Sequence, residues 1–295
     1  MRSLDVRIYA AFAAGPSGGN LAGVVYDSEG LATDVMQRLA AELAAPTTGF
    51  VRELGDGTFG VRFFSPVSEM PLCGHVTVGV FAAMADDGRV GEGAFRQVTT
   101  AGDLDVTVAR AAEGLHVTLR QPQPRFDLFD VPAGRIAPLL GFSAAEARSI
   151  GSAGTGLRHL FVEVDTTETL ARLHADDVGL RSLCGEVGID TVGVFTRLGP
   201  DGGAEVRVRD LCHGVGDPEE AASGTTNGAL AALLWRRGRL PLPDARGRVR
   251  VRAEQGVEMG RPSLVTTELE VSGDRIEAVR VGGGAIRRLE GRVFV

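Results

Sequence analysis

Two stretches about 150 residues apart constrain this chain more than any other feature, because each repeats the other. "FGVRFF" (59–64) resembles "AEVRVR" (204–209), which sets Val61-Arg62 on Val206-Arg207. "EMPLCG" (69–74) then resembles "EEAASG" (219–224), so that Glu69, Cys73 and Gly74 fall on Glu219, Ser223 and Gly224. A small-residue helical pattern containing Ala-Ala follows both loops. On this alignment the second copy carries five extra residues between strand and loop, a length a loop absorbs at little entropic cost. The repeat predicts two similar α+β domains, each bringing one strand, one loop and one helix start to a shared cleft. The 295 residues suffice for two such domains.

The rest of the chain fits that plan. Strands are expected at "DVRIYAAF", "AGVVY", "TGFVREL", "FGVRFFSP", "LDVTVARA", "GLHVTLRQ", "HLFVEV", "GVFTRL", "AEVRVRDL", "RVRVRAEQG", "SLVTTELEVS" and "RIEAVRVGG". Asp56-Gly57 and Asp201-Gly202 are the turns of antiparallel hairpins. Helices are expected over 31–43, 75–87, 143–150 and 225–238, the first with Thr33 or Asp34 as its cap. The proline-rich "RQPQPRFDLFDVP" (120–132) reads as a connector, which gives domains 1–121 and 122–295, with the last strand free to return to the first.

Composition removes several classes of function. Charged residues are 23% and hydrophobic ones 44%, ordinary for a globular core. The net charge is −7 with scattered basic residues, which argues against nucleic acid. The arginines of 235–252 read as a helix end, a loop and a strand alternating Arg with Val. No apolar run reaches the ~18–20 residues that span a bilayer. The N-terminal "YAAFAA" follows Asp5 and Arg7 and is too short for an export signal. Cys73, Cys184 and Cys212 are then expected to be free thiols in a cytoplasmic protein.

A loop that ends in glycine and runs into a helix presents unpaired backbone N–H groups, aided by the helix dipole, to an anion such as a carboxylate. Cys73 and His75 stand at the first such loop; Glu219, Glu220, Ser223 and Thr225 stand at the second. Histidine and glutamate are the usual general acid–base groups. The same residues taken singly are ordinary caps, buried thiols and helix-entry carboxylates; their occurrence in both copies favours chemistry. "GDGTFG" (55–60) matches a dinucleotide fingerprint, yet it joins two strands and is a hairpin turn. Cys73, His75, Cys212 and His213 lack the usual zinc spacings, so no metal is expected.

The motifs "GGNLAGVV", "VRFFSPVSEMPLCGHVTVG", "EEAASGTTNGALAALL" and "EQGVEMGRPS" occur in the order found in PhzF-like proteins of the diaminopimelate epimerase superfamily, and the resemblance spans essentially the whole chain. It implies two similar domains, each a barrel-like, mostly antiparallel sheet around a central helix. It also implies a cofactor-independent site for a small anionic carboxylate, and a homodimer. His75 takes the place of the family's site histidine. The family pattern EDPATGSA falls on "EEAASGTT" (219–226), with Glu220 at its aspartate and Thr225 at its serine. The resemblance also makes Asn20, Thr48, Gly74, Ser223 and Gly224 substrate-binding candidates.

Two departures shape the expected chemistry. The catalytic glutamate of the phenazine enzymes, in a segment like SETxFV, is replaced by Thr47 in "PTTGFV", and an unactivated threonine is no base at neutral pH. The two-cysteine racemases need cysteine in both loops, whereas the second here has Ser223, a far weaker acid. His75 and Glu220, with Cys73 as a third candidate, are left to move a proton, while Thr47 and Thr48 bind substrate. This altered site resembles PhzF-like isomerases acting on unsaturated pyrroline carboxylates in 4-alkylproline antibiotic pathways. The expected reaction is a proton and double-bond shift in a conjugated cyclic carboxylate or imino acid. The phenazine-type reaction on dihydro-hydroxyanthranilate and carboxylate binding without turnover stay open beside it.

Overall fold

The computed structural model describes residues 2–111, 114–199, 203–216 and 218–295. The chain divides into two compact units, Met1–Arg120 with Gly282–Val295, and Gln121–Val281. The turn expected at Asp201-Gly202 lies outside the described residues.

The first unit contains β1 (Ser3–Ala11), β2 (Asn20–Val25), α1 (Thr33–Leu43), β3 (Thr47–Gly55), β4 (Thr58–Phe64), β5 (Glu69–Met70), α2 (Gly74–Asp86), β6 (Gly93–Thr99), β7 (Gly102–Ala111) and β8 (Gly114–Arg120). The second contains β9 (Arg125–Phe126), α3 (Ala133–Ile136), β10 (Ala147–Gly154), β11 (His159–Val164), α4 (Thr167–Ala171), α5 (Asp177–Val187), β12 (Thr191–Arg197), β13 (Val206–Leu211), α6 (Gly224–Arg236), β14 (Arg248–Gln255) and β15 (Ser263–Ser272). β16 (Arg275–Gly283) leads the chain back, and β17 (Ala285–Phe294) belongs to the first unit.

One topology is used twice. In the first unit β1 and β2 are antiparallel, β2 and β3 parallel, β3 and β4 antiparallel, β4 and β6 parallel, and β6 and β7 antiparallel. In the second, β10, β11, β12, β13, β14 and β15 repeat that series in order. Parallel neighbours need a crossover. The β4-to-β6 crossover carries α2 and the β13-to-β14 crossover carries α6. Both helices are buried through their length, α2 from His75 to Met84 and α6 from Thr226 to Leu234, and their own strands enclose them. A second core lies on the other side of each sheet. Met36, Leu39 and Ala40 of α1 pack with Leu4, Val6, Val25, Phe50 and Phe64; Leu180, Leu183 and Cys184 of α5 pack with Leu160, Val162, Val192 and Val194.

Several expectations change. Residues 143–150, expected as a helix, form a turn and then the start of β10. Glu146 Oε2 accepts from the Ser143 amide at 3.0 Å and its hydroxyl at 2.8 Å, closing the turn. The fully buried β11 then takes β10 as its antiparallel neighbour, with an irregularity at Ser149/Gly151. Neither Thr33 nor Asp34 caps α1. Ala32 holds that position without a side-chain bond, and Thr33 Oγ1 accepts from Arg62 instead, at 3.1 Å. β6, β17, α4 and α5 had no signal in the pattern. β17 is largely exposed and charged, and it is held by backbone pairing along the whole of buried β1.

The repeat itself has a different register. Phe63 pairs with Met70, and Asp210 pairs with Glu220. Gly49 lies opposite Phe63, and Gly193 opposite Asp210. Arg62 therefore corresponds to Arg209 and Phe63 to Asp210, a slide of two from the sequence alignment. Met70 follows Phe63 by seven positions and Glu220 follows Asp210 by ten, so the second loop is longer by three residues rather than five.

Enclosing α2 depends on close approach. A β-carbon at Gly79 would stand 2.6 Å from the β-carbon of Ala22, and neither atom can rotate away. Gly79→Ala should therefore lose about 1–2 kcal/mol to overpacking, in spite of alanine's higher helix propensity. In urea unfolding, adding Ala22→Gly should recover part of that loss, so that the double variant is more stable than the two single losses predict. Additive losses would refute the contact.

Candidate active site

In the first unit the loop before α2 is tied down at its start. The Arg62 guanidinium grips Glu69 with two bonds, 2.8 and 2.7 Å, a geometry that fixes direction as well as distance. Cys73 takes the helix N-cap position in extended conformation, and its carbonyl accepts from Thr77 Oγ1 at 3.0 Å. Gln97 of β6 donates to that hydroxyl, also at 3.0 Å. His75, buried in the first turn, has Asn20 Nδ2 at 3.3 Å and Cys73 Sγ at 3.4 Å from its Nδ1. With an amide nitrogen facing it, Nδ1 accepts, so in the neutral ring the proton sits on Nε2, the atom able to give it to a substrate.

Cys73, Gly74, His75 and Asn20 are thus one cluster. Thr47 lies buried on β3 and donates to Met70 Sδ at 3.7 Å, which ties its hydroxyl to the strand leading into the loop. Thr48 points to the other face of β3, where its hydroxyl fills the space a β-carbon of Gly23 would take, 2.4 Å away. The structure does not bring Thr48 to the cluster.

The second unit builds the same frame from different groups. Arg209 grips Glu219 with bonds of 2.9 and 2.8 Å, so Glu219 is an anchor. The Glu220 amide donates to the Asp210 carbonyl at 3.0 Å, and the Glu220 carbonyl accepts from Gln255 Nε2 at 2.8 Å. Its backbone is held on both sides while its side chain stays half-buried. Ser223 caps α6: its Oγ accepts from the Thr226 amide at 3.3 Å and lies 3.2 Å from Thr225 Oγ1. Its own amide donates to Gln255 Oε1 at 3.2 Å, and Asn227 donates to the Ser223 carbonyl at 2.8 Å. Glu220, Ser223, Gly224 and Thr225 are therefore neighbours on one rigid turn.

Beneath that turn lies a polar group that the sequence reading missed. Asp210 is fully buried, and its Oδ2 accepts from Thr226 Oγ1 at 2.6 Å. His159, also fully buried, has Thr191 Oγ1 2.6 Å and Thr226 Oγ1 3.4 Å from its Nδ1. Burial pushes the Asp210 carboxyl up to about 6 although the Thr226 bond pulls it down, and burial pushes His159 down to about 3. An aspartate within "VRVRDL" reads as the end of a strand; its only signal was the register of the repeat.

Cys212 Sγ donates to the Asp210 carbonyl at 3.5 Å, and His213 Nε2 lies 2.8 Å from Asp177 Oδ1. Among the described residues Asp210, Cys212 and Glu220 each offer one donor atom within 4.8 Å of the others, one fewer than the four ligands of a structural zinc site. No described helix is long and apolar enough to cross a membrane.

The Asp210 shift has a definite sign. A carboxyl raised from 3.8 to about 6 on folding binds its proton more tightly in the native state. Its stabilising contribution is complete below pH 3.8 and is lost as pH rises through 6, a loss of roughly 3 kcal/mol. Asp210→Asn removes that dependence. The stability of the variant relative to the parent should rise by about 2 kcal/mol between pH 4 and pH 7 in urea titrations. A pH-independent difference would refute the raised carboxyl.

Known proteins share this architecture throughout. Residues 9–291 match the family described as phenazine biosynthesis-like protein, PhzC-PhzF. An uncharacterized isomerase of Deinococcus radiodurans is 37% identical over 96% of this chain and 92% of its own. The trans-2,3-dihydro-3-hydroxyanthranilate isomerase of Pseudomonas aeruginosa is 31% identical over 97% of each chain. The crystal structure of a Bacillus anthracis phenazine biosynthesis protein of the PhzF family, 25% identical, superposes with a TM-score of 0.88 over the full length of both. With its repeated α+β units and its matched helix-start loops, this chain belongs to the PhzC-PhzF family and is an isomerase of that type.

Proposed function

We propose that the chain moves a proton, and with it a double bond, within a small unsaturated cyclic carboxylate or imino acid, without a cofactor. The carrying observation is that each unit sets an acid–base side chain at the start of its buried helix: His75 against Asn20 and Cys73, and Glu220 on a backbone held from both sides. One of the pair takes a proton from a carbon conjugated to the carboxylate. First-turn amides, with the positive end of the helix dipole, stabilise the negative charge that develops. A proton returned at another carbon completes the shift. Thr47, bonded to Met70, holds substrate or shapes the loop and transfers no proton.

The substrate class separates this reading from the phenazine-type reaction named for the Pseudomonas relative. Thr47 stands at the position of that enzyme type's glutamate, which favours a substrate whose proton is acidic enough to move without that glutamate. The test is proton NMR in D2O with a pyrroline-2-carboxylate diene, its saturated analogue and dihydro-hydroxyanthranilate. Deuterium should enter a ring or side-chain carbon of the diene. His75→Ala and Glu220→Gln should each slow that exchange about 10²- to 10⁴-fold. Exchange confined to dihydro-hydroxyanthranilate would favour the phenazine reaction. Binding without exchange in any compound would make the protein a carboxylate binder.

A further inference from the structure

The two units fill one equivalent interior position in opposite ways. Phe63, Val76 and Ala22 occupy it in the first unit, all fully buried. The register of the repeat sets Asp210 where Phe63 stands, and the pairing of His159 with Thr191 matches that of Ala22 with Thr47. Thr226, third residue of α6, corresponds to Val76, third residue of α2. The fold packs this place with hydrocarbon in one copy, so packing does not demand a carboxyl, a hydroxyl and an imidazole in the other. Burying them is unfavourable unless they are hydrogen-bonded.

Their hydrogen bonds have a direction. The Thr226 hydroxyl has one proton and two oxygen neighbours, Asp210 Oδ2 at 2.6 Å and Ser223 Oγ at 2.9 Å. The carboxylate is the stronger acceptor and the shorter contact, so it takes that proton. The bond to Ser223 then runs the other way, with Ser223 O–H donating to Thr226 Oγ1. The chain reads Ser223 to Thr226 to Asp210, from the loop of the candidate site into the interior. Asp210 Oδ1 makes no hydrogen bond of its own, while Thr191, Cys212 and Ser223 stand near enough to the carboxyl to lower it along with Thr226.

We infer that Ser223, Thr226 and Asp210 form a proton relay that makes the serine of the second loop a proton-transfer group. The inference rests on the isomerase reading above. The substrate C–H bond breaks and its proton forms the new O–H bond of Ser223. The former Ser223 proton moves to Thr226 Oγ1, and the former Thr226 proton to Asp210 Oδ2. The electron pair stays on the substrate as a delocalised anion, and Asp210 becomes a neutral acid. Reversal returns a proton to carbon. Ser223 is the catalytic residue of the three; Thr226 and Asp210 are positioning residues that act through it. The relay supplies the base strength that an isolated serine lacks, and it gives the second loop a proton carrier beside Glu220.

Among the described residues, the titratable groups beside Asp210 are few. His159 on β11 and the side chains of Cys212 and Glu220 surround it, while Thr191 and Thr226 are uncharged hydroxyls. His159 is neutral above about pH 3. The flanking Arg207 and Arg209 bond Glu254 and Glu219. A titration of Asp210 seen at Ser223 thus has Glu220 and Cys212 as its alternatives, and substitution of Asp210 separates them.

Ser223→Cys provides a readout independent of turnover. Its alkylation by iodoacetamide, followed by peptide mass spectrometry from pH 5 to 9, should show an inflection near pH 6 besides that of the thiol itself. Asp210→Asn in the same background should remove that inflection and raise the rate at pH 7 at least fivefold, by removing the neighbouring negative charge. Thr226→Val keeps the Asp210 charge but removes the bond that lowers its carboxyl, so it should move the inflection to higher pH; Val76 shows that this fold accepts valine at the equivalent position. Profiles that superpose in all three backgrounds would overturn the relay even if isomerase activity is established. On a compound that exchanges deuterium, Asp210→Asn and Thr226→Val should lower kcat at least tenfold and leave KM within twofold, and Asp210→Asn should abolish the limb of the pH profile near 6. A limb that survives Asp210→Asn would overturn the relay, whereas loss of exchange in every compound with the thiol coupling intact would count against the isomerase reading alone.

Discussion

Each unit of this chain depends on a helix that has no exposed face. α2 and α6 have almost no polar stripe to turn outward, so each is stable only inside its own sheet. The parallel crossover provides that enclosure, because the strand before the helix and the strand after it lie side by side. Close backbone approach provides the rest: Gly79 lies over Ala22, and Gly49 leaves the space that Val76 and Val80 enter. Enclosure also fixes where the helix must begin. Its first turn meets the loop arriving from β5 or from β13, and a loop in that position must be rigid.

Rigidity comes from charge. Arg62 with Glu69 and Arg209 with Glu219 are equivalent bidentate pairs at equivalent places. Partial exposure of the first pair reduces what it adds to stability, but two parallel bonds set the direction in which the loop leaves the strand. A buried glutamine from β6 or β14 then secures the helix entry, through Thr77 in the first unit and directly on Ser223 and Glu220 in the second. The frame is common to both units, and the chemistry diverges on top of it.

Long alternating strands were legible in the sequence: Ser263–Ser272 and Arg275–Gly283 have the bounds that alternation predicts. β17 was not, because an exposed strand held by its backbone has no apolar period. His75 and Ser223 were legible because a cysteine or serine before glycine at a helix start is a local signal. Asp210 was not, for a reason built into β structure. Side chains on a strand alternate with period two, so sliding "VRVR" by two preserves every inward and outward position. Hydrophobic pattern cannot distinguish the two registers; only the pairing with Met70 and Glu220 does.

That register also shows what the second unit gives up. With Phe63 in place, the first unit has no carboxyl at the equivalent position. The second carries Asp210, at a cost of roughly 3 kcal/mol at neutral pH, a substantial share of the 5–15 kcal/mol typical of a folded domain. His159 adds a penalty of opposite pH dependence, greatest where it would be protonated. Between pH 4 and pH 6 the two slopes cancel, and both groups are mainly neutral. Above pH 6 the carboxyl ionises while the imidazole does not, and the turn beneath Ser223 gains a single negative charge. A carboxyl poised about one unit below neutrality is ionised enough to accept a proton and basic enough to hold one briefly, which is the compromise a proton-transfer group needs. Packing alone would have been served better by phenylalanine.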